Sequence, residues 1–398
     1  MEMTKYLNRR LALVKNSAIL GFSKFAQQIP HIVNFTLGEP DFETPEHIKQ
    51  AGIRSIKENH SHYAPSNGTQ ELRQNASDFL AQKYGEHYQP DEVIVTEGAT
   101  EAIYTTVSSV INSGDKVIIP TPTFPLYIAD VIVAGGQSVL VDTSATDFKL
   151  TPELLEKTLI REGSRVKMLI LNYPSNPTGV MYTQSELDAL ADVLRNKPIF
   201  AVCDEIYSEL NYDQPHASLT KNLRDQTILI TGVSKSHAMT GWRIGLLCAP
   251  QAITDELSKI HQFTITSTAT VMQDAAEEAL SNGKDDAIPM KEEYRQRRDY
   301  ILASLTKLGF HSAKPSGAFY IFARIARDLE QDDVKFAQDL AKHGLVAAVP
   351  GSYFGPGGAH YLRFSYATSM NEIKRGMQLL KKFVEKKRKQ VTTSKMSS

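Results

Sequence analysis

The feature that most constrains this chain is a series of short apolar segments, most of them closed by a polar, small or proline-containing turn. Residues 93–96, 116–120, 137–142, 166–172, 199–204 and 227–230 all have this form. Short apolar runs bounded by turn signals read as strands buried in a sheet. Helical stretches separate them from about residue 45 to about residue 285. Strands alternating with helices imply an α/β fold with a large, mostly parallel sheet between helices. Ligands bind such sheets outside the carboxyl ends of the strands. Thr96 with Gly98, Asn172, Cys203 with Asp204, and Lys235 all fall near strand ends.

Beyond about residue 285 the alternation is lost. Strands read over 315–322, 346–351 and 361–366 mix with helices, the pattern of a smaller α+β unit. The expected division is an arm and part of the small unit at 1–44, a large unit at 45–285 and a C-terminal small unit at 286–398. Tyr294-Arg295-Gln296-Arg297-Arg298 reads as the solvated face of a charged helix, and residues 381–398 as a basic helix end that frays.

Composition narrows the function classes. Of 398 residues 41% are hydrophobic and 22% charged, which fits an ordinary globular chain. A formal net charge of -1 gives no reason to expect a nucleic-acid partner. No run is long and apolar enough for a membrane span, and the first residues lack a secretory cleavage pattern. Cys203 and Cys248 have no metal spacing and suggest no disulfide framework, which fits a reducing compartment, and Cys203 reads as a core residue. A cytoplasmic location without membrane attachment is the expectation.

The chemistry concentrates in Gly232-Val233-Ser234-Lys235-Ser236-His237-Ala238-Met239-Thr240-Gly241-Trp242-Arg243-Ile244-Gly245. A lysine that reacts must be neutral part of the time, which burial and a nearby cation favour, and a neutral lysine condenses with a carbonyl. Arg243 is suited to a phosphate or carboxylate. Carbonyl plus phosphate points to pyridoxal 5′-phosphate. His237, two residues on, is not expected to be a base, and His261 reads as structural or surface.

The stretch resembles the lysine-attachment motif of the class I aminotransferases, the fold-type-I pyridoxal phosphate enzymes. Asn172-Tyr173-Pro174-Ser175-Asn176-Pro177-Thr178-Gly179 is diagnostic of the same family. The resemblance implies a seven-stranded sheet and a set of roles. Lys235 is then the Schiff-base lysine and catalytic acid–base, with Ser234 beside it, and Arg243 binds the cofactor phosphate. Gly98, Ala99 and Thr100 form a phosphate cup at a helix start, with Glu97 and Glu101 pointing away from the anion. Phe124 stacks on the pyridine ring. Asn176 and Tyr207 bond the ring oxygen, and Asp204 faces the ring nitrogen and keeps it protonated. Arg363 grips the substrate carboxylate, with Gly38 and Asn176 beside it. Tyr63 reaches the phosphate of a partner subunit, which implies a homodimer with shared sites. In the arm, Ile19 and Phe22 line a side-chain pocket. No metal is implied.

The implied reaction moves an amino group from an L-amino acid to a 2-oxo acid such as 2-oxoglutarate in two half-reactions. The stretches around Gly38, Tyr207 and Lys235 look like bacterial aromatic aminotransferases and equally like N-acetyl-LL-diaminopimelate aminotransferases; the aromatic reading is preferred. Cystathionine β-lyases share the lysine and the fold and differ in product. Regulators with an aminotransferase-like module carry an added DNA-binding segment, for which the roughly 30 residues before Gly38 are too few.

Overall fold

Among the described residues thirteen strands form three sheets. The computed structural model describes residues 3–396, and side chains as far as residue 390. In chain order the strands are β1 (Val33–Asn34), β2 (Val93–Glu97), β3 (Lys116–Thr121), β4 (Gln137–Asp142), β5 (Val166–Asn172), β6 (Phe200–Asp204) and β7 (Thr227–Gly232). They continue as β8 (Ile244–Cys248), β9 (His311–Ser312), β10 (Tyr320–Arg324), β11 (Val346–Ala347), β12 (Val349–Pro350) and β13 (Tyr361–Ser365).

The large sheet has seven strands in the order β2-β8-β7-β6-β5-β3-β4. The neighbours from β7 to β4 are parallel, whereas β8 is antiparallel to both β2 and β7. Side chains alternate across a strand, and the core follows that period. Ile170, Val202, Ile230 and Leu247 pack with Ile103, Tyr127 and Val131 on one face, under the helices Gly98–Val110 and Leu126–Ala134. On the other face Leu171, Ala201 and Cys203 meet Leu187 and Leu190 of the helix Gln184–Leu194. Both faces are covered, which is why these strands read as unbroken apolar runs. Cys203 and Cys248 are buried free thiols, Cys203 as expected.

A second sheet, β12-β13-β10-β9, is antiparallel, and β1 pairs parallel with β11 in a third. This places Arg363, in the middle of β13, opposite Phe322 on one side and Val349 on the other. The long helices Ala287–Lys307 and Met370–Met396 pack on each other beside them.

Several readings change. The apolar run after Arg243, not among the strands expected from the sequence, is a full strand, β8. The segment 346–351 is not one strand: Val346–Ala347 and Val349–Pro350 belong to different sheets on either side of Ala348. The helical stretch after residue 250 is two helices, Gln251–Ile265 and Thr270–Ser281, separated by Thr266 at a positive φ of 67°. Arg297 and Arg298 are not solvated. Their side chains are 6% and 5% exposed, because acids from distant segments neutralise them: Asp41 at 2.7 Å from Arg297 and Asp213 at 2.6 Å from Arg298. The helix Met370–Met396 continues through most of the tail read as frayed, whose last two residues lie outside those described.

Candidate active site

The reversed strand organises the site. Because β8 opposes its neighbours, its first residue lies at the edge where β2 and β7 end: Ile244 pairs with Glu97, and Gly245 with Gly232. Arg243, just before β8, and Lys235, just after β7, therefore share one edge with the start of the helix Gly98–Val110. Two glycines make the approach possible. A Cβ on Gly98, whose φ is +70°, would stand 2.3 Å from the Arg243 guanidinium. A Cβ on Gly245 would stand 2.5 Å from the Ala99 amide nitrogen. The guanidinium is anchored on its other side, Nη1 donating to the Thr240 carbonyl at 2.9 Å.

Asp204, the last residue of β6, is 5% exposed. Its Oδ2 accepts from the Tyr127 hydroxyl at 2.7 Å and its Oδ1 from the Ile206 amide at 3.2 Å. Burial pushes its pKa up to about 6, against the pull of those donors and of Lys235. Lys235 lies on a single helical turn, Val233–Ser236, and its Nζ donates to the Gly38 carbonyl at 2.7 Å. Burial pulls its pKa down to about 8, despite Glu39 and Asp204. An amine that exchanges its proton near neutrality thus stands in the same cavity as a buried carboxylate.

Arg363 is 3% exposed. Its Nη1 donates to Asn176 Oδ1 at 2.9 Å and its Nη2 to the Thr36 carbonyl at 2.7 Å, and its guanidinium lies 4.5 Å from the Tyr320 ring centre. Its buried Nε has no partner among the described residues. The Tyr320 hydroxyl in turn meets that of Tyr207 at 3.0 Å.

These groups line one cavity of about 560 Å³. Of the residues singled out in the sequence, Gly38, Ala99, Thr100 and Phe124 reach its wall, as do Asn176, Asp204 and Tyr207, and so do Ser234, Lys235, Arg243 and Arg363. Gly98 lies behind the wall, under Arg243. Tyr63 is not brought to this cavity; it is 87% exposed. Ile19 reaches the wall, but Phe22 does not: it packs into the core with Ala26, Val33 and Phe35. Neither Glu97 nor Glu101 lines the cavity, and Glu101 Oε1 instead accepts from Thr105 and stands 3.1 Å from His261. His237 is buried, between Ser236 and the Gly283 carbonyl. Thr121–Pro122, Tyr173–Pro174 and Asn176–Pro177 are cis peptides.

Tyr127, Thr36 and Tyr320 escape the sequence reading, and Asn172 was placed near a strand end without a role. Tyr127 holds Asp204, and Asn172 accepts the Asn176 amide while donating to the Asp204 carbonyl. Thr36 and Tyr320 hold Arg363. Tyr127 alone carries a local signal, three residues after Phe124 at a helix start.

The profile of the family "Aminotransferase class I and II" matches residues 30–380. A probable N-acetyl-LL-diaminopimelate aminotransferase of Bacillus subtilis is 41% identical over 392 residues, 98% of this chain and 99% of its own. An aromatic-amino-acid aminotransferase of Thermococcus litoralis is 34% identical over 96% of this chain and 99% of its own. The aspartate aminotransferase of Thermus thermophilus, solved with maleate, superposes with a TM-score of 0.89 at 34% identity, covering 94% of this chain and 98% of that one. With sequence, fold and cavity in agreement, the chain belongs to the class I and II aminotransferases, fold-type-I enzymes that use pyridoxal phosphate to pass amino groups from amino acids to 2-oxo acids.

Proposed function

We propose that this aminotransferase takes its amino group from an aromatic L-amino acid and gives it to 2-oxoglutarate. The observation that carries the aromatic reading is the cavity wall. Ile19, Leu20, Leu37, Ile103 and Phe124 line it, and among the described residues its only arginines are Arg243 and Arg363. An apolar side chain finds surface there, while a side-chain carboxylate finds no further guanidinium.

The residues present fit the cofactor. Asp204 is a buried carboxylate open to the cavity, and the start of the helix Gly98–Val110 is kept free of side chain where Arg243 lies. Ala99, Thr100, Ser234 and Arg243 would hold the phosphate, and Phe124 a face of the ring. Tyr207 and the Asn176 amide, whose Oδ1 already accepts from Arg363, would hold the ring oxygen. Asp204 would keep the ring nitrogen protonated, and Lys235 is the amine that would hold the aldehyde carbon. When bound, the cofactor supplies that aldehyde and a cationic ring that draws off electrons.

The chain's own residues do the rest. Arg363 takes the substrate α-carboxylate through its unpartnered Nε side, held in place by Thr36 and Asn176. Gly38 receives Lys235 on its carbonyl and keeps the amine aimed at the cavity. Lys235 would take the proton from the substrate α-carbon and deliver it to the carbon that was the cofactor's aldehyde, a role worth about 10² to 10⁴ in rate for a positioned group. Residues 45–285 thus carry the cofactor groups, while 1–44 and 286–398 carry Gly38, Thr36 and Arg363. The exposed Tyr63 supports a homodimer in which it serves the partner's site.

Lys24 favours a second reading. It lines the cavity without an ion pair among the described residues, a site for a distal carboxylate such as that of N-acetyl-LL-diaminopimelate. The test is a single half-reaction: cofactor-loaded protein mixed with phenylalanine, N-acetyl-LL-diaminopimelate or glutamate, without oxo acid. One equivalent of phenylpyruvate per site is expected. Reaction with the diaminopimelate derivative but not with phenylalanine would replace the aromatic reading with the second one.

A further inference from the structure

The geometry points to a second site on the opposite face of the large sheet: we infer that Glu86, Glu205 and His216 bind one divalent transition-metal ion of the Zn2+ class. The three side chains are almost sealed from solvent, at 1%, 2% and 4% exposure. One ligand atom from each lies within 4.8 Å of the others.

The hydrogen bonding is arranged around a gap. Glu205 Oε1 is satisfied twice, by the Tyr173 hydroxyl at 2.8 Å and the Ser218 hydroxyl at 2.7 Å. That leaves Oε2, which stands 2.7 Å from His216 Nε2, while Glu86 Oε1 stands 3.5 Å from the same nitrogen. Neither contact has hydrogen-bond geometry: both ring nitrogens of His216 and both Glu86 oxygens are buried without a partner of that geometry among the described residues. At 2.7 Å the failure lies in direction, so the Glu205 oxygen lies off the axis of the ring nitrogen. Two carboxylates crowding one nitrogen without bonding to it is the arrangement expected when a cation belongs between them.

Charge argues the same way. Two carboxylates and one imidazole share this small volume, and an unpaired buried carboxylate is costly. A dication removes the conflict. One imidazole with two carboxylates, and a fourth position for water, suits Zn2+ and its neighbours. Calcium and magnesium call for a larger set of oxygens. The supporting shell is present, since Tyr173 and Ser218 orient Glu205, and the Tyr84 ring packs 4.5 Å from the His216 ring. The ion would join the turn after the helix Gln70–Tyr84, the loop at residue 216 and the end of β6, one residue beyond Asp204.

The experiment uses cofactor-loaded, chelator-dialysed protein titrated with Zn2+ by calorimetry in the absence of amino acid. One equivalent per chain is expected, with Kd raised at least about tenfold in Glu86→Gln and in His216→Gln, and cofactor content unchanged. X-ray absorption on the wild-type protein with one equivalent of Zn2+ keeps the inference testable if the variants do not fold. A shell of nitrogen and oxygen at about 2.0–2.1 Å with imidazole scattering is expected. No uptake, uptake indifferent to Glu86→Gln, or a sulfur-containing shell would each overturn the site. Absence of uptake would leave His216 as the centre of a buried ion pair.

Discussion

Asp204 and Glu205 are sequence neighbours, and the sheet sends them to opposite sides. Asp204 turns to the face covered by the helices Gly98–Val110 and Leu126–Ala134, Glu205 to the face of Cys203 and Tyr173. Each gives one oxygen to a tyrosine hydroxyl, Tyr127 at 2.7 Å and Tyr173 at 2.8 Å. The same device is used twice, yet one carboxylate opens into a cavity of about 560 Å³ and the other into a sealed pocket. The difference teaches that burial alone does not make a carboxylate catalytic. What matters is whether the free oxygen faces space that a substrate and cofactor can fill.

Breaking the open side has the largest effect. Asp204→Asn keeps the shape and removes the charge, and kcat is expected to fall about 10²- to 10³-fold with little change in Tm. A variant within tenfold of wild type would contradict the role proposed for Asp204. The next effect is one of pH. The pKa of Lys235 is about 8 in the folded chain against 10.5 ordinarily, so between those values the unfolded chain holds a proton that the native chain has lost. Stability of the cofactor-free protein therefore rises with pH across that window, by about 3 kcal/mol for this group. Denaturant melts of wild type minus Lys235→Met isolate the term; parallel curves would show that the amine is not desolvated.

On the closed side, Glu205→Gln is expected to lower stability by about 1–3 kcal/mol in the presence of chelator, with kcat within a few-fold of wild type. A collapse of kcat without loss of Tm would erase the contrast between the two faces. The smallest effect sharpens it. Tyr127→Phe removes a donor that favours charged Asp204, so that pKa rises further from about 6 and cofactor affinity falls about tenfold. Tyr173→Phe should leave cofactor affinity unchanged in the same equilibrium dialysis.

The large sheet was legible because β3 to β7 each have an apolar middle, and the ends of several carry the residues that chemistry would select. Arg363 and Asp204 stand out because each interrupts or ends an apolar strand, whereas Lys235 and Asn176 are legible through the motifs around them. What stayed hidden depends on partners far away in sequence. Tyr127 looks like any aromatic at a helix start until Asp204, 77 residues on, is seen beside it. Arg297 and Arg298 read as solvated because nothing nearby in the sequence shows that Asp41 and Asp213 will arrive. Phe22 and Ile19 lie on one helix, and only the packing of Phe22 against Val33 and Phe35 separates wall from core.

The reversal of β8 also works as a ruler. Lys235 lies three residues past the end of β7 and Arg243 directly before the adjacent β8, so the strand ends that carry them are set apart by the spacing of hydrogen-bonded strands, about 4.8 Å. That interval does not depend on side-chain fit. Replacing residues in the cavity wall can therefore alter which substrate is accepted while the strand ends that carry Lys235 and Arg243 stay in register. Adding or deleting residues in the seven-residue link between them changes the gauge itself, and no repacking of the wall can restore it.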